Sequence, residues 1–433
     1  MQVHGWGRYP RVEARLSQPT SASQCALLLA EGETLTPRGL GRAYGDSALG
    51  PHLLDSRYLD HLLAFDPATG LLTCEAGVSL DTLLRVMVPK GWFPPVTPGT
   101  RWVSVGGAIA ADVHGKNHHL DGSFCDQVTR LKLLLGDGTT LWASPTEHPE
   151  LFHATCGGMG LTGLILAAEL RLKRVPSSSI IETRIKTPDL GALLAAFADH
   201  AGASYSVAWI DCLAQGRRLG RSLLMLGEPD PEGQLRLQDR PPLTILPGLP
   251  SGLLNPTSVR LFNQGFYAKA RAGRQVRRVS LESFFYPLDR LAHWNRLYGK
   301  PGFIQYQCLL PTAAGETGLR QLLEPIAASG RGSFLAVLKV LGQANANLLS
   351  FPRPGYTLAL DFKLESGLFP LPDALDQRVL EQDGRLYLAK DARMSEATFK
   401  AGYPRWREFE EIRARYRAIG HFASAQSKRL GLQ

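Results

Sequence analysis

The stretch Pro95-Val96-Thr97-Pro98-Gly99-Thr100, running through Val103-Ser104-Val105-Gly106-Gly107-Ala108-Ile109-Ala110-Ala111 into Asp112-Val113-His114-Gly115-Lys116-Asn117-His118-His119, decides how this chain is read. A Gly-Gly pair ahead of small residues lets a backbone lie close against a flat or phosphorylated ligand. The histidines and the lysine behind it bring titratable groups to the same place. Two further glycine-rich segments bracket it. Upstream lies Thr36-Pro37-Arg38-Gly39-Leu40-Gly41-Arg42-Ala43-Tyr44-Gly45-Asp46-Ser47. Glycines 39, 41 and 45 permit positive φ and let backbone N–H groups face an anion. The segment opens no clear amphipathic helix and has Pro37 at its entry, so it is no Rossmann fingerprint. Taken alone, it serves equally as a tight surface turn or as a phosphate cradle. Downstream lies Cys156-Gly157-Gly158-Met159-Gly160-Leu161-Thr162-Gly163-Leu164-Ile165. Turns alone explain three such segments poorly. A long ligand with a diphosphate in its middle explains them together.

A chain of 433 residues suits two domains. With 44% hydrophobic and 20% charged residues it is globular rather than disordered. Lys plus Arg is 48 and Asp plus Glu 39, and the net +9 is spread along the chain. That disfavours a nucleic-acid arm and leaves open a preference for anionic substrates or anionic membrane surfaces. No run of about eighteen apolar residues is present, so no spanning helix is expected. Met1 to Gln18 carries His4, Arg8, Arg11, Glu13 and Arg15 and lacks an apolar stretch with a cleavage site, so no Sec signal is expected. The six cysteines show neither a CxxC pair nor zinc spacing; reduced thiols in a cytoplasmic protein, and no metal, are the reading.

In the first third, Leu71 to Ala76 reads as a strand and Ser79 to Val88 as a helix capped by Ser79. Val128 to Leu135 and Thr140 to Ala143 read as strands about a Gly136-Asp137-Gly138 turn. Leu164 to Lys173 reads as another, and Arg174-Val175-Pro176 marks a domain boundary. Beyond it, helices at Leu190 to His200 and Gly318 to Ser329 alternate with strands at Phe303 to Leu310, Ser333 to Val340 and Thr357 to Phe362. That mixture predicts an α+β domain, a sheet with helices on one face. Pro241 to Pro256 reads as an unusually apolar loop. Phe262, Phe266 and Tyr267 follow, and then Lys269, Arg271, Arg274, Arg277 and Arg278.

In this order, PRGLGRAYGDS, TPGT, VGGAIAADVHGKNHH and GGMGLTGLI resemble the FAD-linked oxidases of the vanillyl-alcohol-oxidase type. HWNRLYG (His293 to Gly299), GFIQYQ (Gly302 to Gln307), SFLAVLKVLG (Ser333 to Gly342), LSFPRPGY (Leu349 to Tyr356) and GRLYLAKDAR (Gly384 to Arg393) narrow the likeness to the decaprenylphosphoryl-β-D-ribose 2′-oxidases, over nearly the whole chain. The resemblance implies a two-domain α+β fold. Residues 1–177 and 385–433 would form a PCMH-type FAD-binding domain, and 178–384 an antiparallel-sheet substrate domain. It implies FAD at Pro37, Arg38, Gly39, Leu40, Gly41, Arg42, Ala43, Tyr44, Gly45, Asp46, Ser47, Gly99, Ser104, Val105, Gly106, Gly107, Ala111, Asp112, Val113, His114, Ile165 and Tyr387. Backbone N–H groups at Gly39, Gly41, Gly106 and Gly107 would cap the diphosphate. Many relatives attach the flavin through a histidine of the first glycine loop; here Tyr44 stands there, so non-covalent FAD is expected.

Lys390 matches a lysine needed beside the flavin, where a cation favours substrate oxidation. Lys390 and His114 are the two candidate bases, and the sequence does not choose between them. Gln305 and Gln307 alternate on one strand face with Tyr306 opposite, so both amides can meet a sugar. Lys116, Arg296 and Lys339 match polar pocket positions able to pair with a phosphate, and Trp209 matches a wall residue. The best-known members carry cysteine where Ala359 stands, asparagine at Thr357 and tyrosine at Phe285. The implied reaction oxidises the 2′-hydroxyl of a polyprenylphosphoryl-β-D-ribose to the 2′-keto sugar, with hydride transfer to FAD. A short-chain reductase then completes epimerisation to the arabinose donor of a bacterial cell envelope. Peripheral contact at the inner face of the plasma membrane would suit the lipid tail, with Pro241 to Arg278 as a lid. Two other readings stand beside this one, an FAD oxidase of a soluble sugar or alditol and a non-catalytic scaffold that keeps FAD.

Overall fold

A computed structural model describes residues 1–238, 241–248, 252 and 254–432. The first part builds a three-stranded and a five-stranded sheet, with two-stranded pairs beside them. Arg15–Ser17, His52–Asp55 and Thr36–Arg38 form a parallel three-stranded sheet with His52–Asp55 in the middle. Thr140–Ala143, Val128–Leu134, Leu164–Arg171, Leu71–Glu75 and Leu62–Asp66 pair in that order, antiparallel throughout. The helix Leu80–Met87 starts where the sequence places it, because the Ser79 side chain accepts from the Thr82 N–H. Its Leu80, Leu83, Leu84 and Met87 are buried.

The second part is one eight-stranded antiparallel sheet. Its order is Arg274–Ser280, Ser179–Thr187, Ser222–Pro229, Tyr205–Ile210, Ala336–Leu341, Gly355–Lys363, Phe303–Pro311 and Arg385–Leu386. The helices Leu190–Asp199, Gly315–Ser329 and Pro370–Leu380 lie together on one of its faces. Alternation decides what each face carries. Ile304, Tyr306 and Cys308 face the helices and join the large core with Leu319, Leu322 and Leu375. Gln305 and Gln307 face the other way.

The segment from Phe262 onward is a helix, Pro256–Lys269, followed by the strand Arg274–Ser280. The Asn255 side chain accepts from the Thr257 and Ser258 N–H groups, and Pro256 takes the first turn. Of the apolar stretch Pro241 to Pro256, residues 249–251 and 253 lie outside the described ones. Leu243–Thr244 pairs in parallel with Leu291–Ala292.

The chain end returns to its beginning. Leu35 bridges to Phe422, Thr36 Oγ1 donates to the Ala423 carbonyl at 2.6 Å, and Arg429 joins Asp46 at 2.7 Å to Asp391 at 2.8 Å. Arg385–Leu386 still belongs to the edge of the large sheet, and Glu396–Gly402 packs on it. Among the described residues no helix is long and apolar enough to cross a membrane.

Candidate active site

The uncovered face of the eight-stranded sheet roofs a cavity of about 1220 Å³ whose other wall is the glycine-rich part of the first domain. That exceeds the roughly 300–1,000 Å³ of a drug-sized pocket and leaves space for a large cofactor and a substrate together. Of the expected cofactor residues, Pro37, Arg38, Gly39, Leu40, Arg42, Ala43, Tyr44, Ser47, Gly99, Ser104, Gly106, Gly107, Ala111, Val113, His114, Ile165 and Tyr387 line it. Lys116, Trp209, Gln305, Gln307, Lys339, Ala359 and Lys390 line it as well.

Others expected at the site do not line the cavity, although Gly41 keeps its place in the first glycine loop. Gly41, Gly45, Asp46, Val105, Asp112, Arg296 and Thr357 are absent from the wall. The Asp46 carboxylate is spent on Arg429, and Val105 is core. Gly45 lies against Asp391; a Cβ added there would sit 1.8 Å from its carbonyl oxygen. The Asp112 carboxylate is fully buried and accepts from Ser123 Oγ, the Cys125 N–H, the Asn345 and Asn347 amides and Ser350 Oγ. It ties the first domain to the loop 345–350. Arg296 donates through Nη1 to the Ile245 carbonyl at 2.8 Å. Thr357 lies one layer behind Gln307, whose Nε2 meets its Oγ1 at 3.1 Å.

The expected diphosphate cap also changes. The Gly106 N–H donates to the Ala76 carbonyl at 2.7 Å and the Gly107 N–H to Ser104 Oγ at 3.2 Å, so neither is free for a ligand. The free donors are upstream. The N–H groups of Leu40, Gly41, Arg42 and Ala43 meet no acceptor among the described residues. Gly41 has φ +65°, which only glycine adopts without strain. Gly39 approaches so closely that an added Cβ would lie 2.2 Å from Ser104 Oγ. The Arg42 guanidinium lies over the Trp6 ring at 4.2 Å, and its buried Nε has no partner. A row of unpaired N–H groups with an unpaired guanidinium is the donor set a diphosphate needs, and the residues fit FAD on that ground.

At the other end stand Lys390, His114 and the two glutamines. The Tyr44 N–H donates to the Ala389 carbonyl at 3.1 Å, which draws the C-terminal segment onto the first glycine loop. Lys390 Nζ then lies 3.8 Å from the centre of the Tyr44 ring and has no hydrogen-bond acceptor among the described residues. Burial first, opposed by the nearby Asp361 and reinforced by Lys339, pushes its pKa down to about 7. His114 faces Gln307 Nε2 at 2.9 Å and Lys339 Nζ at 3.2 Å, one on each ring nitrogen. Burial, with the Lys339, His118 and Lys390 charges behind it, holds His114 well below the usual histidine range, so it is neutral. Burial likewise lowers Lys339 to about 8 and Lys116 to about 7. The Lys116 ammonium turns to the Phe284 carbonyl, 4.3 Å from the ring centre of the same residue. Trp209 is held by its Nε1–H on the Phe334 carbonyl at 2.9 Å and meets Phe266 edge-on.

Several wall residues go beyond the sequence reading, which places Phe262 and Phe266 in a lid and not in the pocket wall. Val259, Phe262 and Phe266 of the helix Pro256–Lys269 join Leu254, Leu288, Leu291, Phe334 and Leu335 in an apolar lining. Asp361, behind Gln305, accepts from it and from Tyr298. Alternation along Thr357, Ala359 and Asp361 was the available signal for the last.

The fold, the free N–H row and the paired cavity define an FAD-dependent oxidoreductase. Residues 16–144 match the family model of an FAD binding domain. The chain is 39% identical over its whole length to decaprenylphosphoryl-beta-D-ribose oxidase of Mycolicibacterium smegmatis, spanning 97% of that protein. It is 34% identical, over 82% of its length, to the whole of a Streptomyces coelicolor protein, the "Uncharacterized protein in mprA 5'region". A shorter likeness, 28% over 29% of the chain and 24% of the relative, reaches human Delta(24)-sterol reductase. The chain belongs to the decaprenylphosphoryl-β-D-ribose oxidase family.

Proposed function

We propose that this protein oxidises the 2′-hydroxyl of a polyprenylphosphoryl-β-D-ribose to the 2′-keto sugar. The observation that carries the reading is the make-up of one cavity. A polar floor of Lys390, Gln305, Gln307, His114 and Lys339 continues into the apolar wall of Val259, Phe262 and Phe266. A lipid-linked sugar needs both, and a soluble sugar or alditol would leave the apolar wall without a role.

FAD, when bound, supplies the acceptor for the hydride that leaves C2′. The N–H groups of residues 40–43 and Arg42 would hold its diphosphate. No histidine stands in that loop, which favours dissociable FAD. Lys390 removes the hydroxyl proton at Nζ. Its amine is unpartnered, and a pKa about 7 gives it a neutral form at working pH. His114 has both ring nitrogens engaged, so its part is to hold Gln307 and Lys339 in place. Lys339 and Lys116, when charged, attract the phosphate. A short-chain reductase acting on the ketone from the opposite face would complete the epimerisation.

Membrane contact fits the same region. Leu243, Leu246, Leu261, Phe262, Phe266 and Val276 are exposed beside Lys269, Arg271 and Arg274, and that pairing suits peripheral contact with an anionic leaflet. A Lys269/Arg271/Arg274 charge-reversal variant that binds anionic liposomes as well as the natural sequence would remove that part of the reading.

Anaerobic mixing of the yellow holoenzyme with a short-chain prenylphosphoryl-β-D-ribose tests the function. Bleaching of the flavin absorbance is expected, slowed by about a hundredfold or more in Lys390→Ala. An unbleached flavin that dithionite still reduces, together with bleaching by a free polyol, would refute it.

A further inference from the structure

Asp361 has no exposed surface, yet it lies directly behind the sugar-facing side of the cavity. Strand register sets it opposite Gln305. Its Oδ1 accepts from Gln305 Nε2 at 2.7 Å and its Oδ2 from the Tyr298 hydroxyl at 2.9 Å. The contacts behind it run in one direction. The Leu335 N–H donates to Ser333 Oγ at 2.9 Å. The Tyr298 hydrogen goes to the carboxylate, so Ser333 donates to the Tyr298 oxygen, 3.0 Å away. Burial raises the Asp361 pKa to about 7, opposed by the Gln305 and Tyr298 hydrogen bonds and the Lys390 charge, so above that pH the group is ionised, and an ionised carboxylate accepts and never donates. It therefore takes the NH₂ of the Gln305 amide, which also lies near the Tyr44 hydroxyl, and leaves Oε1 to turn the other way.

We propose that Asp361 is a positioning residue that fixes Gln305 as a hydrogen-bond acceptor toward the cavity, and thereby selects a substrate hydroxyl that donates at that point. This rests on the reading of the cavity as a sugar-oxidising site. Gln307 provides the contrast. Its amide meets a hydroxyl, Thr357 Oγ1, and an imidazole, both of which can donate or accept, so its orientation is not imposed by a charge. Of the two adjacent glutamines, Gln305 carries the fixed polarity.

The polarity can be reversed and then restored. In Asp361→Asn, Tyr298 keeps donating to the remaining side-chain oxygen while Ser333 donates to Tyr298, so the carboxamide NH₂ faces Gln305; the Gln305 amide turns over to accept from it and presents NH₂ to the substrate. In Asp361→Asn combined with Gln305→Glu, the glutamate accepts from the new asparagine and again presents an oxygen to the cavity. Gln305→Glu alone sets two carboxylates face to face. The experiment measures kcat/KM on holoenzyme with a short-chain prenylphosphoryl-β-D-ribose, alongside flavin content and melting temperature. Asp361→Asn and Gln305→Glu should each lose about tenfold or more, and the double variant should recover most of that loss. A structural role alone would make the losses add instead of cancel. Should Asp361→Asn not accumulate as a folded flavoprotein, the comparison of the double variant with Gln305→Glu decides alone. A double variant no better than either single variant, or an Asp361→Asn enzyme within about twofold of the natural one, overturns the proposal. Failure of the functional reading would show in the natural enzyme, which would then not be bleached by the phosphoribose; failure of the positioning role shows only in the variants.

Discussion

Replacing Asp112 by alanine should loosen the join between the two domains more than any change at the cavity surface. Its carboxylate collects five donors, Ser123 Oγ at 2.5 Å, the Cys125 N–H at 3.0 Å, the Asn345 and Asn347 amides at 2.8 and 3.0 Å, and Ser350 Oγ at 2.6 Å. Three of these come from the loop 345–350, the others from the first domain. Alanine leaves all of them facing a hole with no solvent exposure. At about 1–3 kcal/mol for each unsatisfied group the sum would be an upper bound, because hydroxyls can turn and water can enter. Removal of a buried charged partner costs about 3–5 kcal/mol, and about 4 kcal/mol is the expected loss here. At roughly 2–4 °C per kcal/mol for a domain of about 200 residues, the melting temperature of the first domain should fall by about 8–16 °C. Asp112→Asn should lose less, since its Oδ1 keeps Ser123 and Cys125 while its NH₂ opposes the other three donors. The assay is thermal unfolding of the holoenzyme, followed by the fluorescence of released FAD. A fall of under about 3 °C in Asp112→Ala would refute the reasoning, because the donors would then have found other partners at little cost.

Three further outcomes are expected. The pH profile of kcat/KM should be a narrow bell. Activity rises as Lys390 loses its proton through about 7 and falls as Lys339, at about 8, loses the charge that holds the phosphate; a flat profile from about pH 6 to 9 would contradict both roles. Gly45→Ala should abolish folding or FAD retention, since its Cβ would meet the Asp391 carbonyl at 1.8 Å, whereas Gly202→Ala, with nothing within 4 Å, should melt as the natural protein does. Nitroaromatic inhibitors directed at a thiol should leave no adduct, because Ala359 lines the cavity, no cysteine does, and all six cysteines are buried. Intact-protein mass after turnover reads this directly, and a shift of one adduct would overturn it.

Much of the site was legible because its residues sit in short, contiguous motifs. The glycine loop 37–47, the 104–114 segment and the strand Phe303–Pro311 each carry their role in local spacing. Period-two alternation alone sends Gln305 and Gln307 to one face and Tyr306 to the other. Ser79 and the helix it caps were equally plain, since capping acts over a few residues. The helix Pro256–Lys269 was missed because its weakly amphipathic sequence hides behind a proline-rich approach, although Asn255 and Pro256 are ordinary start signals.

What the sequence determined by itself was which elements form and which side chains could act. Which donors are free was settled only by tertiary structure. Gly106 and Gly107 look like a diphosphate cap until Ala76 and Ser104 are found to occupy their N–H groups. Asp112, placed among cofactor residues by the family resemblance, is a tie across the domain join because residues 345–350 fold back onto it. Lys390 meets Tyr44 across some 350 positions of chain, and its lowered pKa exists only because tertiary packing buries it. Hydrogen-bond partners and desolvation depend on residues distant in the chain, and no local pattern encodes them.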